Sequence, residues 1–274
     1  NPTIQRAYDP KKKPLYLSAN DLQYVTRTDE GLAFNDPGLK HQWHYQNKGN
    51  YAFVTERAEA IAGSDVNCVE AWKSCKGDPS IIVAVLDEGV MWSHPDLKAN
   101  MWTNESEEIG STEDKDGNGY KGDRYGYNFV KNTGVISWTS AEDTGHGTHV
   151  AGTIAAVNGN GTGVSGIAGG DGTENSGVKI MTCQLFDGQY GATLAAEAKA
   201  IKYAADNGAV ILQCSWGYNS SLANMIEGYT PGPGTEKEWE SIYPLEKEAL
   251  DYFINNAGSP NGVIDGGLAI FASG

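Results

Sequence analysis

The sequence predicts an α/β fold with a doubly wound, mostly parallel sheet, and two observations carry that prediction. Short apolar runs rich in β-branched residues recur along the chain. Continuous runs of this kind are typical of parallel strands that helices cover on both faces. Segments with helical spacing of apolar residues separate the runs. Strands that alternate with helices in this way indicate a doubly wound sheet.

Each element can be assigned in chain order. The predicted strands are "SIIVAVLD" (80–87), "VKIMTCQLF" (178–186), "AVILQCSWG" (209–217) and the start of a fourth in "GGLAIFASG" (266–274). The predicted helices are "VNCVEAWKSC" (66–75), "THVAGTIAAV" (148–157), "ATLAAEAKAIKYAADNG" (192–208) and "YPLEKEALDYFINNAG" (243–258). The apolar side chains of each helix fall on one face, which is the face expected to cover the sheet.

The chain divides into an extension and one large domain. Residues 1–34 are polar and rich in lysine near the start, so we expect an N-terminal extension or the tail of a propeptide. Residues 35–274 carry the alternating pattern. Around residues 219–243 that pattern is interrupted by "TPGPGTEKEWE" and its surroundings, which predict a long surface insertion.

Composition excludes several classes of protein. The formal net charge is −15, from 35 acidic against 20 basic residues, which argues against a nucleic-acid partner and suits a protein that binds cations. No apolar run approaches the ~20 residues of a membrane-spanning helix. Four cysteines are too few for a disulfide scaffold. Cys183 and Cys214 lie in apolar runs and are expected to be small buried hydrophobes, or a bridge if their strands are neighbours.

Two side chains are placed where an α/β sheet carries its chemistry. Asp87 ends the strand 80–87, and reactive groups gather beyond the carboxyl ends of such strands. On its own, Asp87 also fits a turn cap. His146 precedes a helix with small residues on its packing face, which suits a rigidly held general base. We expect His149, three residues later, to be buried and structural.

Several segments resemble the subtilisin-like serine proteases. "VAVLDEGVMWSHPDL" resembles the aspartate motif of that family and "GHGTHVAGT" its histidine motif, with "QCSWG" similar to the segment that lines the substrate cleft. The resemblance implies a serine endopeptidase in which Asp87 orients His146 and His146 activates a serine. Residues 35–274 would form the N-terminal two-thirds of the peptidase domain. The family usually has Ser or Thr where this chain has Glu88, and we expect the Glu88 side chain to point to solvent.

The serine itself has no match. Nothing here resembles the Gly-Thr-Ser-Met-Ala segment of the family; Ser165 lies in the wrong context and Ser273 in the fourth predicted strand. The fold is therefore expected to be incomplete without a C-terminal portion that begins with Asn, supplies the serine, and belongs to a missing segment or a second chain. The main alternative is a catalytically inactive binding protein on the same fold. A calcium-dependent surface adhesin is a third interpretation.

A glycine-rich acidic segment predicts a metal site. In "DKDGNGYKGD" the residues that offer hard oxygen ligands alternate with glycines, as at the start of an EF-hand calcium loop, although no Glu stands at the twelfth position. A solvated acidic turn is the alternative. Calcium sites in such loops are frequent in the resembled family. The expected ligands are Asp114, Asp116, Asn118, Asp123 and the backbone carbonyl of Tyr120.

The substrate site is expected at the third predicted strand. Ser215, Trp216 and Gly217 would line the primary specificity pocket, with substrate backbone added as an edge strand. An ordinary strand end with a surface Trp is the alternative. The resemblance also implies a polypeptide substrate and a secreted or extracytoplasmic location, at the cell surface or in the periplasm.

Overall fold

The structure is a computed structural model that describes residues 5–6, 32–49, 61–140, 142–217 and 232–273. Its strands are β1 (Gln5–Arg6), β2 (Ile82–Glu88), β3 (Gly126–Asn128), β4 (Lys179–Asp187), β5 (Tyr190–Gly191), β6 (Ala209–Cys214), β7 (Trp216–Gly217) and β8 (Leu268–Phe271). The main sheet has the order β3-β4-β2-β6-β8 with every neighbour parallel, and β5 adds antiparallel to β4. The predicted mostly parallel α/β sheet is confirmed.

The helices follow the predicted spacing with one exception. They are α1 (Cys68–Ala71), α2 (His146–Ala155), α3 (Leu194–Asp206), α4 (Glu236–Ile242) and α5 (Pro244–Asn256), with 3₁₀ turns at Leu39–His41 and Lys98–Asn100. The helix expected over 66–75 is a single turn, α1. The helical spacing of apolar residues in 66–75 has another cause. Cys68 and Trp72 both pack into a small cluster with Leu39 and Tyr45, and no long helix covers the sheet at these residues.

The central strand shows why the sheet is doubly wound. All seven residues of β2 are buried, and the side chains of its five apolar residues, 82–86, alternate between two apolar clusters. Leu86 packs in the cluster that contains Ile201 of α3 and Phe253 of α5. Val85 packs in the cluster that contains Ala151 of α2. Each such aliphatic side chain contributes about 1.5–3 kcal/mol on burial, so both faces hold the strand in place.

The cysteines form no bridge. All four are free thiols, and Cys183 on β4 is separated from Cys214 on β6 by β2, which lies between their strands. The possible Cys183–Cys214 disulfide is therefore wrong. Both side chains are fully buried, and burial raises the pKa of each thiol well above its ordinary range. They act as small core residues.

The predicted domain limits fall partly outside the described residues. Of residues 1–34 only β1 and residues 32–34 are described, and β1 pairs antiparallel with β7. Of the predicted insertion, residues 219–231 lie outside the described part and 232–243 contain α4. Among the described helices none has the length and apolar character that a membrane span needs.

The last strand presents apolar side chains to solvent. β8 pairs with β6 along one edge. Leu268 is 58% exposed, Ile270 42% and Phe271 37%. Large apolar groups grouped at a sheet edge mark a surface suited to further packing.

Candidate active site

Asp87 and His146 meet at the carboxyl end of β2. The ring atom Nδ1 of His146 lies 2.7 Å from Oδ1 and 2.9 Å from Oδ2 of Asp87. A carboxylate only accepts hydrogen bonds, so Nδ1 carries the proton and Nε2 is the basic nitrogen. The Asp87 side chain is 2% exposed and that of His146 is 31% exposed. The structure thus joins the two predicted catalytic residues in the geometry of a base held by a buried carboxylate.

Glycines allow this close approach. His146 is the first residue of α2, and a Cβ at Gly147 would lie 2.2 Å from the carbonyl oxygen of Glu88. No side chain fits there. Gly145, immediately before the helix, has φ of 76°, a conformation that glycine adopts at low cost. The sequence of small residues around His146 therefore brings the start of α2 against the end of β2.

Glu88 is buried, so the expectation that it faces solvent is wrong. Its side chain accepts hydrogen bonds from the backbone amides of Thr144 and His146, each at 3.1 Å, and from the Thr144 hydroxyl. The residue is 1% exposed. The pairing of β2 with β4 shifts register between Asp87 and Glu88, a bulge that re-aims side chains at a strand end. Both carboxylates consequently reach the start of α2.

His149 is exposed, so the prediction that it is buried is also wrong. The buried face of α2 consists of Gly147, Ala151 and Ala155, at four-residue spacing. His149 lies two residues beyond Gly147, about 200° around the helix, and so on the opposite face.

The predicted substrate residues lie at the end of β6 and in β7. Trp216 is 1% exposed, and its indole donates to the carbonyl of Leu86 at 2.7 Å. Its ring packs edge-on against Phe186 and Phe271. In this structure the Trp216 ring therefore belongs to the core, and its role in lining the specificity pocket stays a prediction.

The backbone of β7 does bind an extended segment. Gln5 pairs with Gly217 and Arg6 with Trp216 in an antiparallel ladder. Ser215 is half-buried between β6 and β7, and its hydroxyl accepts from the side chain of Gln213 at 3.1 Å. The edge of this strand thus pairs with an extended segment of the same chain.

Neither serine considered from the sequence has the environment of a nucleophile beside His146. Ser165 is fully buried, and its hydroxyl donates to Asp36 at 2.6 Å. Ser273 is exposed after the end of β8.

The acidic loop brings together part of the predicted ligand set. Asp114, Asp116 and Glu107 offer carboxylate oxygens within 4.8 Å of one another. That separation is about twice a calcium–oxygen distance, so one ion could contact all three. The amide of Gly119, and then that of Gly117, lowers the pKa of Asp114 through hydrogen bonds to its carboxylate.

Asn118, Asp123 and Tyr120 have other partners. The Asn118 amide donates to Asp116 and to Asp123. Asp123 is fully buried and accepts from the Tyr203 hydroxyl at 2.7 Å; burial raises the pKa of its carboxyl. The Tyr120 ring packs against the rings of Tyr127 and Tyr203. The group of Tyr120 predicted to bind a metal is its backbone carbonyl, not its side chain. Sequence reasoning missed Glu107 because it lies outside the glycine-rich stretch.

A second pair of buried carboxyl groups was also missed. Glu197 on α3 is fully buried and Glu246 on α5 is 2% exposed, and the two carboxyl groups lie close enough to affect each other's pKa. Among the described residues no N–H or O–H donor reaches either oxygen of Glu197. Burial raises the pKa of both groups. The sequence contained a signal for this position, because Glu197 precedes the buried Ile201 and Ala204 at helical spacing and so falls on the buried face of α3.

Comparison with known proteins decides the family. The model of the subtilase family matches residues 78–274. The chain belongs to the subtilase family. Within it, the chain is 32% identical over 212 residues to Subtilisin-like protease 1 of Plasmodium berghei. That alignment covers 76% of this chain and 31% of the Plasmodium protein. It is 33% identical over 159 residues to the halolysin-like extracellular serine protease Nep of Natrialba magadii, covering 58% of this chain and 25% of that protein.

The fold agrees with that assignment. The structure of the Aeromonas sobria serine protease in complex with its chaperone matches with a TM-score of 0.59 at 20% identity, covering 88% of this chain and 32% of that one. This subtilase chain therefore spans about a third, or less, of the length of these related proteins.

Proposed function

We propose that this subtilase chain is part of a serine endopeptidase whose triad contains Asp87 and His146. The observation that carries the proposal is the 2.7 Å contact between a buried carboxylate and Nδ1 of a partly exposed histidine. This arrangement directs Nε2 toward proton transfer and stabilises the imidazolium that forms.

In the reaction, His146 Nε2 takes the proton from a serine hydroxyl as the serine oxygen bonds to the peptide carbonyl carbon. The imidazolium then gives that proton to the leaving amine as the peptide C–N bond breaks. Water hydrolyses the acyl-enzyme by the same route in reverse. Asp87 stays ionised throughout and holds the ring.

The serine is proposed to come from a segment outside these 274 residues, either further along the same chain or on a second chain. We propose that this segment begins with the Asn that donates to the oxyanion and packs against β8. The exposed Leu268, Ile270 and Phe271 support that position. An oxyanion donor of this kind contributes about 2.7–4 kcal/mol to lowering the barrier.

The substrate is proposed to be a polypeptide that adds to β7. The antiparallel ladder of β1 on Trp216 and Gly217 supports this, because it shows that the edge takes extended main chain. Because the Trp216 ring is buried, the groups proposed to bind the substrate here are the backbone of β7 and Ser215.

Calcium is proposed as a structural cofactor held by Asp114 and Asp116 of the predicted ligand set, together with Glu107. The clustering of three carboxylate oxygens supports this. An ion there would offset their mutual repulsion and fix the loop that precedes β3. A secreted or extracytoplasmic location fits such an ion and the similarity to the halolysin-like extracellular protease.

The second candidate is a catalytically inactive binding protein on the same fold, favoured by Glu88 where the family usually has Ser or Thr. His146→Ala in the complete protein separates the two. We expect kcat on a peptide substrate to fall by several orders of magnitude with an unchanged circular dichroism spectrum. His149→Ala, an exposed neighbour on α2, is the control and should retain activity. Equal peptide hydrolysis by wild type and His146→Ala would overturn the proposal.

A further inference from the structure

We propose that Glu88 is a positioning residue for His146, which it holds by the backbone while Asp87 holds the ring. The inference rests on the proposed function. Two consecutive residues of β2 then fix the two ends of one histidine: Asp87 binds Nδ1 at 2.7 Å, and Glu88 binds the backbone N–H at 3.1 Å.

The first turn of α2 needs this support because it lacks a side-chain cap of its own. Gly145 occupies the N-cap position, where a side-chain oxygen usually accepts from the first amides of a helix. Gly145 has no side chain to do so, and its φ of 76° disfavours the residues that would. The Glu88 carboxylate reaches across from β2 and accepts from amides on both sides of this glycine.

The position of His146 makes the cap relevant to catalysis. The residue is the first of α2, so any fraying or rotation of that turn moves the imidazole relative to Asp87. A displacement of about 1 Å in a catalytic group can cost about 10²-fold in rate. Glu88 is 1% exposed, so its carboxylate is held by protein donors with little competition from water.

The charge of Glu88 has a second effect. The N-terminus of a helix carries a partial positive charge that disfavours protonation of a nearby imidazole. A buried carboxylate at the same end offsets that charge and favours the imidazolium formed during proton transfer. The other titratable groups of these elements and their connections include Asp87 on β2, His149 on α2, Glu142 and Asp143 in the loop before α2, Asp187 at the end of β4, and Lys131 after β3.

Those neighbours are engaged elsewhere or are themselves exposed. Asp143 accepts from the amides of Ser140 and Gly188. Asp187 binds Lys131 at 2.9 Å. The described hydrogen bonds therefore make Glu88 the carboxylate that binds the backbone at the start of α2.

The test uses the complete protease with Glu88→Gln, Glu88→Ala and the matched control Glu246→Gln, which neutralises another buried glutamate on α5. Glu88→Gln keeps one acceptor and loses the charge, and kcat is expected to fall about tenfold with little change in KM. The acid limb of the pH profile of kcat/KM should move down by about 1 pH unit. Glu88→Ala loses the acceptor as well and should lose about 100-fold.

Glu246→Gln should keep the wild-type kcat and the wild-type pH profile of kcat/KM. If Glu88→Ala does not fold, Glu88→Gln decides alone. An unchanged kcat and acid limb in Glu88→Gln would overturn the inference. Failure of the proposed function would look different, because the wild-type protein would then hydrolyse no peptide at all.

Discussion

The pair Asp87–Glu88 and the pair Glu197–Glu246 are equally buried, yet their surroundings differ in kind. Asp87 and Glu88 accept hydrogen bonds from His146, from backbone amides and from a hydroxyl. Within the described part of the chain, neither oxygen of Glu197 has a hydrogen-bond donor, and its carboxyl lies beside that of Glu246. Glu246 accepts from the indole of Trp239 at 2.9 Å. Several donors thus reach the oxygens of the first pair, whereas those of Glu197 are left with a neighbouring carboxyl.

The comparison indicates that nearby hydrogen-bond donors, more than burial itself, determine whether a buried carboxyl group can be ionised. Charge-assisted hydrogen bonds replace the water that burial removes. Without them, one carboxyl of a pair retains its proton and donates it to the other. We infer that Asp87 and Glu88 act as hydrogen-bond acceptors at the start of α2, whereas Glu197 is a neutral acid between α3 and α5.

The largest expected effect comes from removing the charge of Asp87. Asp87→Asn should lower kcat about 10⁴-fold, because the amide no longer stabilises the imidazolium or the correct tautomer. Glu197→Gln neutralises a carboxyl that is already neutral and should leave kcat at the wild-type value. Steady-state kinetics of both variants at pH 7 checks this. Similar losses in the two variants would remove the distinction between the pairs.

The second effect concerns stability and pH. Burial, and then the charge of Glu246, raises the pKa of Glu197 from 4.5 to about 9, and burial raises the pKa of Glu246 from 4.5 to about 7. A raised carboxyl pKa means that the folded state binds more protons than the unfolded state above pH 4.5. Stability is therefore full below that pH and is lost as pH rises toward 9, by up to about 1.4 kcal/mol per pH unit for each proton.

Glu197→Gln should flatten this decline, as measured by urea unfolding between pH 5 and pH 9. Glu248→Gln is the control, since Glu248 lies on the same helix as Glu246 but is exposed. A wild-type protein that gains stability toward pH 9, or a Glu197→Gln variant with the wild-type slope, would show that the pair is not protonated.

The acidic cluster of Glu107, Asp114 and Asp116 should stabilise the fold by binding an ion. Chelation is expected to lower the melting temperature by about 5 °C. This is the effect of removing calcium that was present at about a hundred times the dissociation constant of the site. Asp114→Asn should remove most of that response, whereas the control Asp171→Asn, in an exposed turn, should keep it. Identical melting curves with and without chelator would remove calcium from the account.

The smallest effect is expected at the Trp239 indole, which donates to Glu246 of the second pair. Trp239→Phe deletes the indole N–H that binds Glu246 and should destabilise the fold by about 1 kcal/mol. The loss should grow above pH 7, where Glu246 ionises and depends more on its donor. Unfolding midpoints at pH 5 and pH 8 measure this, with Trp43→Phe as an exposed control. A loss that is equal at both pH values would contradict the assigned charge.

The sheet and the pair Asp87–His146 could be predicted from sequence because their signals are local. A fully buried strand such as β2 is a continuous apolar run, and a helix that packs closely through Gly147 and Ala151 shows its small residues at fixed spacing. Parallel topology then brings strand ends and helix starts to one edge of the sheet.

Side-chain directions at that edge could not be predicted. Glu88 turns inward because β2 and β4 pair through a bulge, which only the assembled sheet defines. Trp216 turns inward because the carbonyl of Leu86 on a neighbouring part of the sheet accepts its indole. The buried pair of glutamates depends on the packing of α5 against α3, a contact between residues 49 positions apart along the chain.

We propose that Asp87 and His146 activate a serine supplied from outside these 274 residues. Fluorophosphonate labelling of the complete protein, followed by mass-spectrometric mapping of the modified residue, tests it most directly. The account predicts one labelled serine beyond Gly274 or on an associated chain, with labelling abolished in His146→Ala. A protein that takes no label, or one whose label is unaffected by His146→Ala, would contradict it.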